Sequence, residues 1–295
     1  MGSSEGAGPA GAARGDDGTE AAADRDAGAG GDAAAVVGLG DLGIAIARRL
    51  HAVGVAVAGI DGAVERRSMW EEETGRAALA STAQIDPPRA PRAFVCVRTT
   101  EQAAAVIADL SARLGPEAVL YVVTTLAVDF ARGLGDLAAV DGPRLVELPV
   151  SGGRGGAERG ELVVVAGGLA VTDEDADFLS RTLASQVLRM PRYGEATLAK
   201  LLNNALAAYN ALAFASAVEL ADGAGLDLAA TAELLRRGSG GSWMADAFAC
   251  LVDDLLAKDA ALLAAELGPL PRIDLDDPAA LPPSLARARR LLTDA

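Results

Sequence analysis

Short apolar runs alternate with stretches of helical periodicity from Asp32 onward. Ala33–Val37 is apolar at every position and runs into glycine, as a strand buried on both faces does. Leu42, Ile46, Arg49 and Leu50 fall on successive turns of a helix that Gly54 closes. Further strands are predicted at Val55–Ile60, Ala93–Val97, Ala118–Val123 and Arg144–Leu148, with helices over 63–79, Glu101–Leu114 and Ala127–Leu137. Such alternation implies a parallel sheet with helices on both faces. Leu162–Ala166, a helix over 173–184 and Val187–Met190 continue it less regularly, and it stops after Pro191. Residues 195–224 have no proline and predict one long helix, with others near 227–237, 243–267 and 284–293. The expected fold class is an α/β Rossmann-type dinucleotide-binding domain, residues 32–191, followed by an all-α domain, 192–295.

Residues 1–31 do not fit this pattern. They are mostly Gly and Ala, and too little apolar surface is present to offset ordering entropy, so a disordered tail is expected. Elsewhere hydrophobic residues reach 51% of the chain and aromatics only 3%, so Ala, Val and Leu must build the core. The net charge of −15 repels phosphate backbones and argues against nucleic acid as a partner. Apolar runs look too short or too broken to span a bilayer, and no signal-peptide pattern opens the chain, so a cytoplasmic protein without membrane contact is expected. Cys96 and Cys250 stand far apart without His or Cys neighbours, which suits a reducing compartment and two small buried side chains.

Chemistry enters at Gly38-Leu39-Gly40-Asp41-Leu42-Gly43, a G-x-G-x-x-G between a strand and a helix. Gly38 permits the tight turn, Gly40 lets backbone approach a pyrophosphate, and Gly43 lets helix and strand pack closely. The helix N-terminus then offers free N–H groups to phosphates. Asp61, 18 residues past Gly43, ends the second strand, where a carboxylate accepts from ribose hydroxyls and disfavours a 2′-phosphate. NAD or NADP is therefore the expected cofactor, with a lean towards NAD. Two readings of Asp61 stay open: ribose ligand or solvated strand end. Arg66 and Arg67 are also close enough in sequence to turn towards a 2′-phosphate.

A second glycine-rich segment follows the Arg144–Leu148 strand. Ser151, Gly152 and Gly153 would offer a hydroxyl and unobstructed N–H groups to a carboxylate. Lys200 and Asn204, at i and i+4, share one helix face. Hydride transfer at a hydroxyl-bearing carbon needs the O–H proton removed, and a lysine does this when its pKa approaches neutrality. A fall from about 10.4 to about 7.5 represents roughly 4 kcal/mol of disfavoured charge. Burial or a neighbouring ammonium supplies such a shift. His51, the one histidine, lies too far along its helix to reach phosphates and is read as structural.

These motifs, in this order, resemble the β-hydroxyacid dehydrogenase family, which includes 3-hydroxyisobutyrate dehydrogenase and is related to 6-phosphogluconate dehydrogenase. The family's substrate loop resembles Pro149-Val150-Ser151-Gly152-Gly153, through Gly156-Ala157 and Gly160 to Leu162. Its catalytic helix resembles Gly194 through Lys200 to Asn204. The resemblance spans about residues 33–267. It implies Lys200 as general acid/base, assisted by Asn204, with Ser151, Gly152, Gly153 and Asn203 on a small carboxylate-bearing substrate. It also implies Gly38–Gly43, Asp61, Val97, Arg98, Thr125 and Lys258 on the cofactor. Thr124-Thr125 stands where relatives usually carry Ser-Thr beside the nicotinamide. Phe248 and Lys258-Asp259 resemble the family's later segment, and Ser239–Trp243 a substrate-contacting turn. A homodimer or homotetramer through the helical domain is implied as well, which suits a long apolar helix over 201–221.

The chain departs from the pattern at Arg98-Thr99-Thr100-Glu101-Gln102, where relatives carry small and Pro-containing sequence. An Arg there could meet a cofactor phosphate or an unusual substrate. Two alternatives remain at this stage. One is an imine reductase-like NADPH enzyme, against which Lys200 argues, since such enzymes usually lack it. The other is a dinucleotide-binding protein without turnover.

Overall fold

The computed structural model describes residues 32–87, 91–138, 141–251, 253–273 and 281–293. The expected disordered tail, 1–31, lies outside them. Five parallel strands open the fold: β1 (Ala33–Val37), β2 (Ala56–Ile60), β3 (Arg92–Val95), β4 (Val119–Val122) and β5 (Arg144–Glu147), in the order β2-β1-β3-β4-β5. Helices α1 (Asp41–Ala52), α2 (Val64–Thr74), α3 (Thr100–Ser111), α4 (Val128–Arg132) and α5 (Leu134–Leu137) connect them. The order reverses between β1 and β3, so a crevice opens at their carboxyl ends, where α/β sheets bind ligands.

Alternate strand residues serve opposite cores. Ala34 and Val36 join Phe94, Tyr121, Leu50 of α1 and Phe178 on one face. Ala35 and Val37 join Val95, Leu120 and Ile107 and Leu110 of α3 on the other. Burial of both faces is why the strands read as unbroken apolar runs.

The second part of the sheet differs from the all-parallel expectation. It comprises β6 (Val150–Ser151), α6 (Gly153–Arg159), β7 (Leu162–Gly167), α7 (Asp173–Thr182) and β8 (Ala184–Met190). β7 runs antiparallel to β5 and β6, and β8 runs parallel to β7. The short α6 excursion reverses the chain, whereas a parallel neighbour needs a crossover of about a dozen residues or more. Other differences are local. The helix expected over 63–79 stops at Thr74, where Gly75 takes φ 67°. The one expected over Ala127–Leu137 divides at Gly133.

From Glu195 the described residues carry helices only: α8 (Glu195–Gly223), α9 (Leu228–Arg237), α10 (Trp243–Asp246), α11 (Asp253–Leu267) and α12 (Leu281–Thr293). The single helix expected over 243–267 is broken by a 3₁₀ turn at Phe248–Cys250. α8, 29 residues, is long and apolar enough to cross a membrane by length and composition, unlike the runs expected from sequence. It packs on α10, α11, α4 and the end of β7. Val128 of α4, Leu201 and Ala205 of α8 and Leu263 of α11 form a small shared core that fixes α8 beside the sheet. Of the cysteines, Cys96 packs against the core, and burial pushes its thiol up to about 12, while Cys250 is exposed, contrary to expectation.

Candidate active site

The first glycine turn is shaped by close packing. Gly38 takes φ 93° and donates to Ile60 O at 2.8 Å, which ties the end of β1 to β2. A Cβ on Gly43 would collide with the Gly38 carbonyl, so α1 can start here only with glycine at that position. Gly40 is the N-cap of α1 and no side chain caps it. The first helical bond runs from Ile44 N to Gly40 O at 2.8 Å. The N–H groups of Asp41, Leu42 and Gly43 therefore lack helical acceptors and face the crevice end of the strands. A Cβ on Gly40 would meet only the mobile tip of Arg66, at 2.7 Å. An uncapped helix start with an open glycine fits a dinucleotide pyrophosphate. Leu39 contributes differently from its neighbours. Its side chain is 2% exposed, and its N–H donates to Asp61 Oδ2 at 2.8 Å.

Asp61 sits at the tip of β2 with both oxygens engaged, since Ala63 N donates to Oδ1 at 2.8 Å. Arg66 Nη1 lies 3.8 Å from Oδ2, and Arg67 Nη1 donates to the carbonyls of Asp61 and Gly62 at 2.8 and 2.9 Å. Arg67 is thereby turned to backbone, and Arg66 is the cation nearer the turn. Across the crevice Thr124 Oγ1 donates to Val97 O at 2.9 Å and accepts from Val97 N at 3.1 Å. Thr124 thus clamps the end of β3, and the half-buried Thr125 hydroxyl has no partner among the described residues. Arg98 is exposed; its carbonyl accepts from Lys258 Nζ at 3.4 Å, which joins the cofactor-side loop to α11.

The second glycine-rich segment is built into the sheet and a short helix. Ser151 pairs with Val163 in the sheet, Gly152 takes φ 120°, and Gly153 opens α6. Arg154 reaches forward along α6 to Glu158 at 2.8 Å. Ser151 is half-buried and Gly153 is exposed.

Lys200 lies in the second turn of α8, half-buried. Burial pulls its ammonium down to about 8, against an upward pull from the Asp259 carboxylate. A group near 8 exchanges protons close to neutral pH, which suits acid–base work. Asn204, one turn on, donates to Asp259 Oδ2 at 2.5 Å and accepts from Asn203 Nδ2 at 3.2 Å. Asn203 itself is exposed. Asp259 is 1% exposed; its Oδ1 lies 3.3 Å from Lys258 Nζ but accepts no hydrogen bond. Lys200, Asn204, Lys258 and Asp259 therefore form one polar cluster between α8 and α11. Trp243 is 63% exposed and lines no core, whereas Phe248 packs on Phe214 with ring centroids 5.0 Å apart.

Sequence reasoning missed two buried acids that bond to α8. Asp259 reads as half of a solvated helix pair, and only its apolar neighbours Leu262 and Leu263 hint at burial. Glu147, fully buried, ends an apolar strand and resembles a strand terminus. The signal for it was an acid followed directly by Leu148-Pro149-Val150, with no polar neighbour to keep it in water.

Comparison with known proteins places the chain by family and fold. Residues 33–188 match the NAD binding domain of 6-phosphogluconate dehydrogenase, and residues 194–260 match the NAD-binding region of NADP-dependent 3-hydroxyisobutyrate dehydrogenase. The chain is 33% identical to 3-hydroxyisobutyrate dehydrogenase of Pseudomonas aeruginosa over 134 residues, 45% of each chain. It is 28% identical to L-threonate dehydrogenase of Cupriavidus necator over 213 residues, 71% of each. A solved structure of 3-hydroxyisobutyrate dehydrogenase from Salmonella typhimurium superposes with a TM-score of 0.72 at 25% identity, over 81% of this chain and 90% of that one. With a glycine turn open to a dinucleotide, a helical half bearing an amine near neutrality and matches that span both, the chain belongs to the β-hydroxyacid dehydrogenase family and is an NAD(P)-dependent oxidoreductase acting on CH–OH groups.

Proposed function

We propose that this enzyme interconverts a small β-hydroxy acid and its carbonyl form, with Lys200 as the general acid/base. The observation that carries the reading is the half-buried Lys200, with its pKa near 8, in a cluster with Asn204 and Asp259. The dinucleotide, when bound, supplies the hydride acceptor or donor. Neutral Lys200 takes the substrate O–H proton as the carbon is oxidised; protonated Lys200 returns a proton to the carbonyl oxygen in the reverse direction. Asn204, oriented by Asp259, holds the same oxygen by hydrogen bond. Ser151 and the first N–H groups of α6 receive the substrate carboxylate, and Asn203 borders them. Asp41–Gly43 N–H groups hold the pyrophosphate, with Val97, Arg98, Thr125 and Lys258 around the nicotinamide half.

NAD is the preferred cofactor in this reading, because the Asp61 carboxylate at the tip of β2 opposes a 2′-phosphate. The enzyme works in the cytoplasm as a homodimer or homotetramer joined through α8, whose Leu206 and Leu212 are 57% and 66% exposed. The test is a panel of small hydroxy acids with both cofactors, on wild type and Lys200→Ala. Turnover should fall by about 10²–10⁴-fold while the cofactor Kd stays within about 3-fold. Undiminished turnover in Lys200→Ala would sink the assignment. Turnover of cyclic imines in preference to hydroxy acids would move the chain to imine reduction.

A further inference from the structure

Glu147 takes no part in proton transfer, yet it touches the helix that carries Lys200. It is fully buried. Its Oε2 accepts from Thr197 N at 3.0 Å and Thr197 Oγ1 at 2.8 Å, and its Oε1 accepts from Gly194 N. Burial pushes this carboxyl up, and the bonds from Thr197 and Gly194 pull it back. α8 has no side-chain cap of its own, since its N-cap is Gly194 at φ 87°. A strand residue of the sheet therefore caps it from outside. A buried carboxylate without a cation costs several kcal/mol unless donors surround it. Strand β5 does not need one for its own pairing.

The seat of α8 is tight as well. A Cβ on Gly167 of β7 would stand 2.6 Å from Ala196 Cβ, and one on Gly168 would collide with the Tyr193 ring. Tyr193 OH donates to Leu145 O at 2.7 Å. The titratable groups facing Glu147 are Glu195 and Tyr193; the one acting on Lys200 is Asp259, from α11. In chain terms, Ser151 lies four residues after Glu147, and Lys200 lies three after Thr197. One carboxylate joins the strand that leads to the substrate turn with the helix that presents the amine.

We propose that Glu147 is a positioning residue: it registers α8 on the sheet and so fixes Lys200 relative to the Ser151–Gly153 turn. This rests on the acid–base assignment of Lys200. Glu147→Gln keeps the shape but sets an NH2 against one of the two N–H donors. It should lower kcat by about 10- to 100-fold, as small misplacements do, with the cofactor Kd within about 2-fold. Lys200, freed from its buried place, should titrate higher, so the acid limb of kcat/KM should move up from about pH 8 towards 10.5. Glu147→Asp, which keeps both acceptor oxygens, should restore part of kcat. Should Glu147→Gln fail to fold, Thr197→Val removes one donor, and Gly167→Ala displaces Ala196 and crowds the Glu147 side chain at 3.2–3.3 Å while keeping its carboxylate; both should show the same signature more weakly. A lowered Tm with normal kcat and an unmoved limb in these variants, beside an inactive Lys200→Ala, overturns this proposal alone. Full turnover in Lys200→Ala overturns the acid–base assignment and this proposal with it.

Discussion

The two halves of the chain treat their apolar residues in opposite ways. In the α/β half Ala34, Ala35, Val36, Phe94, Val95 and Leu120 are 0% exposed. In the helical half Leu202, Leu206, Leu212 and Leu220 of α8 are 49%, 57%, 66% and 75% exposed, and Leu234 of α9 is 69% exposed. The first half is a scaffold whose geometry its own packing dictates. The second leaves apolar surface uncovered and holds the Asn204–Asp259 pair between α8 and α11. The proposed function divides along the same line: a cofactor seat on one side, and on the other the proposed proton chemistry and the proposed face for a second copy.

The sharpest way to break this contrast is a methyl group in each half. Gly43→Ala puts a Cβ into the Gly38 carbonyl and 3.0 Å from Cys96 Cβ. The turn must open, and we expect cofactor affinity to fall by about 100-fold or more, with about 1–3 kcal/mol of overpacking strain. Gly223→Ala, at the end of α8, meets nothing within 4 Å and should gain up to about 1 kcal/mol from helix propensity. Cofactor titration and thermal melting of both variants report the difference. Equal effects in the two would deny that the first glycine turn is sterically dictated while the end of α8 is open.

The leucine face of α8 sharpens the second half of the comparison. If a second copy covers it, Leu206→Asp and Leu212→Asp bury charge in an apolar interface and should weaken self-association by about 10-fold or more. Sedimentation velocity over a concentration series checks this. A wild-type monomer at all concentrations, or variants that associate as wild type does, would end the dimer proposal.

Much of this contrast was legible in the sequence, for physical reasons that differ by element. β1 to β5 were readable because burial on both faces makes them apolar at nearly every position, with polar helices between. The direction of β7 was not, because periodicity carries no information about strand polarity. α6 was hidden by Gly153, Gly155 and Gly156, poor helix formers held in place by the turn and by packing on Leu162. The break at Phe248–Cys250 has neither Gly nor Pro to announce it. Lys200 and Asn204 stood out through their spacing and company. The burial of Glu147 and Asp259 is a tertiary property, set by which elements pack on them, and local pattern does not encode it.

Those two acids give the finest test of the division. Glu147, in the scaffold, has donors on both oxygens. Asp259, in the helical half, has one oxygen bonded to Asn204 and the other left without a hydrogen bond. A saturated acid holds a helix; an unsaturated one is free to act on charge nearby. Its carboxylate raises the Lys200 pKa that burial lowers, and the balance stands at about 8. Asp259→Asn keeps the shape and an oxygen for Asn204 Nδ2, and removes the negative charge. The Lys258 cation 3.3 Å away is left uncompensated. Loss of the Asp259 charge disfavours the ammonium, so the Lys200 pKa must fall further. Oxidation needs neutral Lys200, so the rising limb of kcat/KM against pH should move below pH 8, by about 0.5–1 unit for roughly 1 kcal/mol of lost attraction. At pH 7 the variant would then oxidise substrate faster relative to its own plateau than wild type does. A limb that stays in place would mean the Asp259 charge does not reach Lys200, and a limb that moves up would reverse the sign of the electrostatics argued for this cluster.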